Sequence, residues 1–170
     1  MVVRLFLLIL LIHNLHAEIC LSLSTVRAAP GETVSLDLEL KSNETSPASL
    51  QWTLPFPSPG ILSLKVEGNQ AMADAGKAVM CAENPTGYIC LAVGNNANPI
   101  PDGVIAKVTA VLAPDFTTSL ISLLDPLAAS PDGNFVPISA SGGTITSALV
   151  SPDRRLRPPL TRIGGRCLTQ

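Results

Sequence analysis

Histidine is almost absent from this 170-residue sequence. The two histidines, His13 and His16, both lie within the first 17 residues, which we expect to be removed from the mature protein. A chain without histidine has no Ser-His or Cys-His nucleophile pair and no histidine ligand for a metal. We therefore expect a protein that is not an enzyme and that needs no metal or cofactor of its own.

Aromatic and basic side chains are also scarce. Aromatic residues make up 4% of the chain, whereas glycan-binding platforms generally need several coplanar rings. Residues 18–150 carry five basic and twelve acidic residues, a net charge of −7, so nothing in this part would neutralise phosphates. A nucleic-acid partner is not expected. The segment 151–170 is basic instead, with five arginines and one aspartate, a net charge of +4.

No apolar run in the sequence is long enough to predict a stable transmembrane span. The run Leu5 to Ile12 is far shorter than the roughly 20 residues of a membrane helix. It follows Arg4 and precedes Ala17, an arrangement typical of an export signal. We predict that residues 1–17 are a signal peptide and that the protein is secreted or held at the cell surface. A buried first strand is the alternative interpretation.

Alternating apolar and polar residues predict an all-β protein. Leu36, Leu38 and Leu40 alternate with charged residues, which indicates an antiparallel strand with one face in a core and one in water. Leu50, Trp52, Leu54 and Phe56 alternate in the same way. Fifteen prolines and twelve glycines supply the turns. The pattern predicts a nine-stranded antiparallel β-sandwich with jelly-roll topology over residues 18–147, followed by a disordered Pro/Arg-rich tail, 148–170.

The four cysteines predict at least one disulfide. Cys81 and Cys90 lie on two apolar segments separated by the turn-forming sequence 84–87, so we expect a hairpin joined by a Cys81–Cys90 disulfide. A pair of free buried cysteines is the alternative. Cys20 and Cys167 are able to pair as well, but a sequence does not fix connectivity.

Five segments in this order resemble a cohesin domain. They are Ala-Ala-Pro-Gly-Glu-Thr-Val at 28–34, Leu-Gln-Trp-Thr-Leu-Pro-Phe-Pro at 50–57, Asp-Gly-Val-Ile-Ala-Lys-Val-Thr at 102–109, Pro-Asp-Gly-Asn-Phe-Val-Pro-Ile at 131–138 and Gly-Gly-Thr-Ile-Thr at 142–146. Each segment alone is weakly specific, and their order and spacing carry the resemblance. It covers about residues 21–147.

The resemblance implies a non-catalytic module that presents one flat sheet face to a dockerin, with any calcium carried by the dockerin. It also implies a role in extracellular polysaccharide degradation or in surface assembly. The binding residues it implies are Ser49, Gln51 and Thr53, which occupy the outward phase of the strand that holds Trp52. The family often has an acidic or amide residue at these positions, where this chain has Ser49 and Thr53.

Three alternatives compete with this hypothesis. Ser49, Gln51 and Thr53 are equally typical of ordinary solvent-facing strand residues. A carbohydrate-binding module of the related jelly-roll folds is the main alternative function, with polysaccharide as the partner. A hydrolase using Asp37 and Glu39 is a third, but carboxylates on the open face of a sheet are more simply explained as solvating residues.

Overall fold

The computed structural model describes residues 19–55 and 59–148. The predicted signal peptide, Phe56, Cys167 and all but the first residue of the predicted tail lie outside the described residues. The described elements are thirteen short strands and one helix. They are β1 (Ile19–Leu23), β2 (Val26–Ala28), β3 (Thr33–Lys41), β4 (Ser49–Pro55), β5 (Ile61–Gly68), α1 (Gln70–Asp74), β6 (Ala78–Asn84), β7 (Gly87–Val93), β8 (Gly103–Leu112), β9 (Thr118–Ile121), β10 (Leu124–Ala129), β11 (Phe135–Val136), β12 (Ile138–Ser141) and β13 (Gly143–Ser147).

The strands form two five-stranded sheets and a smaller third sheet. The first, which we call the β3 sheet, has the order β12-β1-β3-β8-β5. The second, the β4 sheet, has the order β11-β10-β4-β7-β6. A three-stranded sheet, β2-β13-β9, completes the fold. Most pairs are antiparallel, but β1 pairs with β12 and β2 pairs with β13 in parallel.

The core is built from the inward residues of these sheets, as the alternation predicts. Leu36, Leu38 and Leu40 of β3 are buried, and so are Leu50, Trp52 and Leu54 of β4. Placing these rows against each other removes apolar surface from water, the main favourable term in folding. The buried set is Ile19, Leu21, Leu23, Ala28, Leu36, Leu38, Leu40, Leu50, Trp52, Leu54, Ile61, Met72, Cys90, Ala92, Ile100, Ile105, Ala106, Val108, Ala110, Leu112, Phe116, Ile121, Leu123, Ala128 and Ile145.

The all-β sandwich is confirmed, whereas the count of nine strands is not. The structure divides some continuous runs of the sequence into shorter strands. The alternating run from Leu21 to Val26 is divided between β1 and β2. The run from Phe135 to Ile138 is divided at Pro137, and its two halves join different sheets. Proline has no backbone N–H to donate to a β-ladder, which suits the position at which the chain leaves one sheet and joins another.

The predicted Cys81–Cys90 disulfide is confirmed. It joins directly paired positions of β6 and β7, with an S–S distance of 2.01 Å. Cys20 is disulfide-bonded as well. The sequence leaves open whether Cys20 pairs with Cys167, and Cys167 lies outside the described residues. None of the helices in the described ranges 19–55 and 59–148 is long and apolar enough to cross a membrane.

Candidate docking face

The predicted binding residues lie together in the middle of the β4 sheet. Ser49, Gln51 and Thr53 are half-buried and alternate along β4 with the buried Leu50, Trp52 and Leu54. Because successive side chains of a strand point to opposite faces, all three lie on the face directed away from the core. The structure therefore brings these three residues together as an outward polar row, flanked by β10 on one side and β7 on the other.

Apolar side chains lie on both sides of this polar row. On β10, Leu124 is paired with Thr53 and Leu127 with Gln51, and each leucine is 46% exposed. On β7, Ile89 is paired with Thr53 and is 37% exposed. Directly paired residues share a face of the sheet, so these side chains are outward too. We call this surface, the outward positions of β4, β6, β7, β10 and β11, the docking face.

The docking face extends to both edges of the sheet. On the edge strand β6, Met80 is paired with Leu91 and is 54% exposed. On the opposite edge, Phe135 of β11 is paired with Ala129 and is 83% exposed. Seven large hydrophobic residues are exposed among those described, and five of them lie on this face. Exposed apolar residues grouped in this way make the surface a candidate interaction site.

A β-bulge at Asp125 places both leucines of β10 on the docking face. Leu124 and Leu127 are three residues apart, yet they pair with Thr53 and Gln51, which are two apart. In a regular strand, residues three apart point to opposite faces. The extra residue in the bulge shifts the alternation of β10 by one position, so that Leu124 and Leu127 lie on the same face. Asp125 has a φ of 49°, in the left-handed region, which Asp and Asn enter more readily than most residues.

The outward positions of the docking face carry no charged side chain in the described ranges. They are Ser49, Gln51, Thr53 and Pro55 on β4, Ala78, Met80, Ala82 and Asn84 on β6, Gly87, Ile89, Leu91 and Val93 on β7, Leu124, Leu127 and Ala129 on β10, and Phe135 on β11. Asp125 lies in the bulge, and Glu83 of β6 is in the inward phase.

The outward face of the β3 sheet is built from charged and polar residues instead. Lys107 Nζ donates to Asp37 Oδ1 at 2.9 Å, and Lys65 forms an ion pair with Glu67 at 2.8 Å. Ser35 and Thr109 are joined by a hydrogen bond of 3.1 Å between their hydroxyls. Asp37 is therefore engaged with a lysine, which agrees with a structural role and not with a hydrolytic one. The two outward faces of one sandwich differ sharply in chemistry.

Lys77 is a buried cation just before β6. It is 5% exposed, and its Nζ donates to the carbonyl oxygen of Asn96 at 2.9 Å. Burial lowers the pKa of its ammonium group below the usual value, because desolvation disfavours the charged form. Its contact with Asn96 joins the start of β6 to the loop after β7, so Lys77 supports one end of the sheet. No cluster of three or more His, Cys, Asp or Glu residues suited to a metal occurs within residues 19–55 and 59–148.

Comparison with solved structures identifies the fold. The cohesin CaCohA2 of Clostridium acetobutylicum, solved in a complex with CaDoc0917, superposes with a TM-score of 0.65 at 18% identity, covering 76% of this chain and 99% of that one. The fold is that of a cohesin. A cohesin–dockerin complex from Clostridium thermocellum gives a TM-score of 0.64 at 15% identity, covering 77% and 99% of the two chains. The non-cellulosomal cohesin of the archaeon Archaeoglobus fulgidus gives 0.62 at 14% identity, covering 78% and 92%.

These likenesses confirm the cohesin-like domain predicted from the five sequence segments, and the expectation that the chain is not an enzyme agrees with them. No protein-family model matches the sequence, and no curated protein matches it. The similarity is therefore carried by the three-dimensional structure.

The sequence predicted that the polar row of β4 faces outward, as the structure shows, but it did not predict the apolar residues beside that row. Leu124, Leu127, Met80, Ile89 and Phe135 were not predicted as site residues. One feature of the sequence does indicate this apolar part. In β7 the residues are apolar on both faces, since Ile89 and Leu91 alternate with the buried Cys90 and Ala92. A strand that is apolar on both faces, within a domain whose other strands alternate, indicates that its second face meets another surface.

Proposed function

We propose that this protein is an exported, non-catalytic docking module that binds a protein partner through the docking face. The observation that carries the proposal is the contiguous, uncharged, apolar surface around Gln51 and Thr53, opposite a sheet whose outward face is charged. Protein interfaces have apolar centres depleted in charge, and their strongest contacts lie there.

A dockerin-like protein is the partner that we propose. Several of the similar structures are cohesins solved in complex with dockerins, and their fold is shared by this chain at 12–20% identity. Any calcium in such a complex belongs to the partner in this proposal. We place Ser49, Gln51 and Thr53 at the centre of the contact. The apolar rows beside them would supply most of the buried area.

Export is part of the proposal. The disulfide Cys81–Cys90 forms and persists in oxidising compartments, which agrees with secretion or display at the cell surface. The physiological setting that we propose is extracellular polysaccharide degradation or the assembly of proteins at the surface. The apolar docking face suits contact with a protein. It suits a glycan poorly, because Phe135 is the one aromatic ring among its outward positions.

The test is capture of dockerin-bearing proteins from the secreted fraction of the native host, with and without calcium. The immobilised wild-type chain should retain a dockerin-bearing protein that mass spectrometry identifies. Gln51→Arg places a charge at the centre of the face, and it should reduce capture at least ten-fold because the cation must be desolvated on binding. The same substitution should change the free energy of unfolding by less than about 0.5 kcal/mol, as expected of a surface position.

The matched control is Ser35→Arg, an equivalent charge on the outward face of the β3 sheet. It should leave capture unchanged. Equal loss of capture in both variants would contradict the assignment of the face. Binding of the wild-type chain to insoluble polysaccharide, with capture unaffected by Gln51→Arg, would replace the proposal with the carbohydrate-binding alternative.

A further inference from the structure

We infer that Cys167 is the disulfide partner of Cys20, and that the segment after β13 is thereby tied back to the outward face of the β3 sheet. The bond would attach the basic segment 151–170, with its net charge of +4, to the folded domain. It would lie on the side of the sandwich opposite the docking face, so it does not depend on the proposed docking function.

The partner of Cys20 follows from the pairing of the other cysteines. The chain has four cysteines, and Cys20 is disulfide-bonded within it. Cys81 and Cys90 are bonded to each other, and each sulfur takes part in one such bond. Cys167 is the cysteine that remains. The bonds of the described cysteines therefore assign a pairing that the sequence alone leaves open.

Cys20 lies on the outward side of its strand. Along β1 it alternates with Ile19 and Leu21, which are buried in the core, so its side chain points away from the core. It is paired with Lys41 of β3 and with Ser139 of β12, and directly paired residues share a face of the sheet. A bonding partner therefore has to approach from the outward face of the β3 sheet.

The chain after β13 is long enough to reach Cys20. The N–H of Ala148 donates to the carbonyl oxygen of Ala28 at 2.9 Å, so β13 ends beside β2. Ala28 is eight positions from Cys20, which separates the two by at most about 29 Å of extended chain. The 19 residues from 149 to 167 span up to about 63 Å when extended. The connection therefore requires no change in the described strands.

The outward face next to Cys20 is more buried than an open sheet face. Ser22, two residues along β1, is only 7% exposed, and it is paired with Ser141 of β12. The hydroxyl of Ser141 is buried and has no hydrogen-bond partner within residues 19–55 and 59–148. Small polar side chains on the outward face of a sheet ordinarily meet water. A segment tied to Cys20 and lying against these two serines would account for their burial.

The bond would form by oxidation in the export compartment. The thiols of Cys20 and Cys167 lose two protons and two electrons as the Sγ–Sγ bond forms. A disulfide-bearing oxidoreductase takes up both by thiol–disulfide exchange and becomes a dithiol. The Cys81–Cys90 disulfide requires the same oxidant, so no additional reactant is needed. Once formed, the bond keeps the segment attached even when the chain is cut once between Ala148 and Cys167.

A peptide map of the exported wild-type protein tests the pairing directly. The protein is denatured, alkylated without reduction and digested with trypsin, which cuts after lysine and arginine. Cys81 and Cys90 lie together in the peptide 78–107, so their bond leaves the assignment of Cys20 unambiguous. We expect the peptide that ends at Arg27 to be linked to the peptide that follows residue 166, and the two to separate on reduction with a gain of two hydrogens.

Two single variants reveal the partner of each cysteine. Cys20→Ser and Cys167→Ser should each show one unpaired cysteine by intact mass, as a maleimide adduct or a mixed disulfide, whereas the wild type should show none. Ser139→Ala, on the neighbouring strand, is the matched control and should show none. After trypsin treatment of the native protein, the wild type should retain the peptide that begins at Cys167 until it is reduced. The Cys20→Ser variant should lose that peptide without reduction.

A peptide in which Cys20 is linked to a second copy of itself would overturn the inference, as would a non-reduced intact mass of two chains. Alkylated Cys20 or alkylated Cys167 in the wild-type map would overturn it too. So would a link from either of them to Cys81 or Cys90. Failure to capture a dockerin-bearing protein would contradict the proposed function and leave this pairing standing, since the map requires no partner.

Discussion

The inward and outward residues of β4 should respond very differently to substitution. Trp52 is completely buried, whereas its neighbour Gln51 lies on the docking face. A buried aromatic side chain removes about 150–250 Å² from water, which at about 25 cal/mol per Å² corresponds to at most about 4–6 kcal/mol. Because alanine retains the Cβ and the site relaxes in part, we expect Trp52→Ala to lower the free energy of unfolding by about 3–5 kcal/mol.

A second substitution at the same position separates packing from hydrogen bonding. The Nε1 of Trp52 is buried and has no hydrogen-bond partner among residues 19–55 and 59–148. Phenylalanine removes this unpaired donor and retains much of the apolar volume. We therefore expect Trp52→Phe to cost only about 1–2 kcal/mol, well below the cost of alanine.

The assay is urea unfolding followed by far-UV circular dichroism, because Trp52 is the only tryptophan and its fluorescence is lost in both variants. Gln51→Ala serves as the neighbouring control and should change the free energy of unfolding by less than about 0.5 kcal/mol. A cost below about 1 kcal/mol for Trp52→Ala, or an equal cost for Gln51→Ala, would refute the assigned phase of β4.

Two further predictions concern the strands that flank β4. Cys81→Ala/Cys90→Ala opens a loop with a sequence separation of 9 and should lower the free energy of unfolding by about 2.5–3 kcal/mol, and reducing conditions should lower that of the wild type by at least as much, because they also open the disulfide of Cys20. Unchanged urea midpoints in the double variant and in the reduced wild type would contradict the stabilising role of the Cys81–Cys90 disulfide. Asp125→Val places a β-branched residue at a φ of 49° and should cost about 1–3 kcal/mol, whereas Asp125→Gly should be close to neutral. Equal urea midpoints for the two variants would contradict the left-handed conformation of the bulge.

The features predicted correctly from the sequence are those with a local signature. The alternation around Trp52 fixed which residues of β4 face inward, because the period of a strand is two. The turn between Cys81 and Cys90 indicated a hairpin, and directly paired cysteines lie close enough to be linked. The order of five segments predicted the cohesin-like fold. Each of these inferences uses residues that are close in sequence or segments in a fixed order.

The features that were missed depend on partners distant in the sequence. Leu124 and Leu127 are three residues apart, so the strand period alone predicts that they point to opposite faces. Only their pairing with Thr53 and Gln51 across the bulge shows that they share a face. The run around Pro137 is continuous in sequence, yet β11 and β12 join different sheets. The parallel pairing of β1 with β12 joins residues more than a hundred positions apart. Local periodicity carries no information on which strands become neighbours.

The two outward faces of the sandwich separate the requirements of folding from those of function. Packing of the core fixes only the inward positions, so either outward face is free to be charged, as it is around Asp37 and Lys107. Leu124, Leu127 and Phe135 contribute little to the core, and apolar residues exposed together favour unwanted association. A bulge with a left-handed residue is also less favourable than a regular strand, yet here it turns a second leucine towards solvent. Folding alone requires neither feature, whereas a partner that covers the docking face accounts for both.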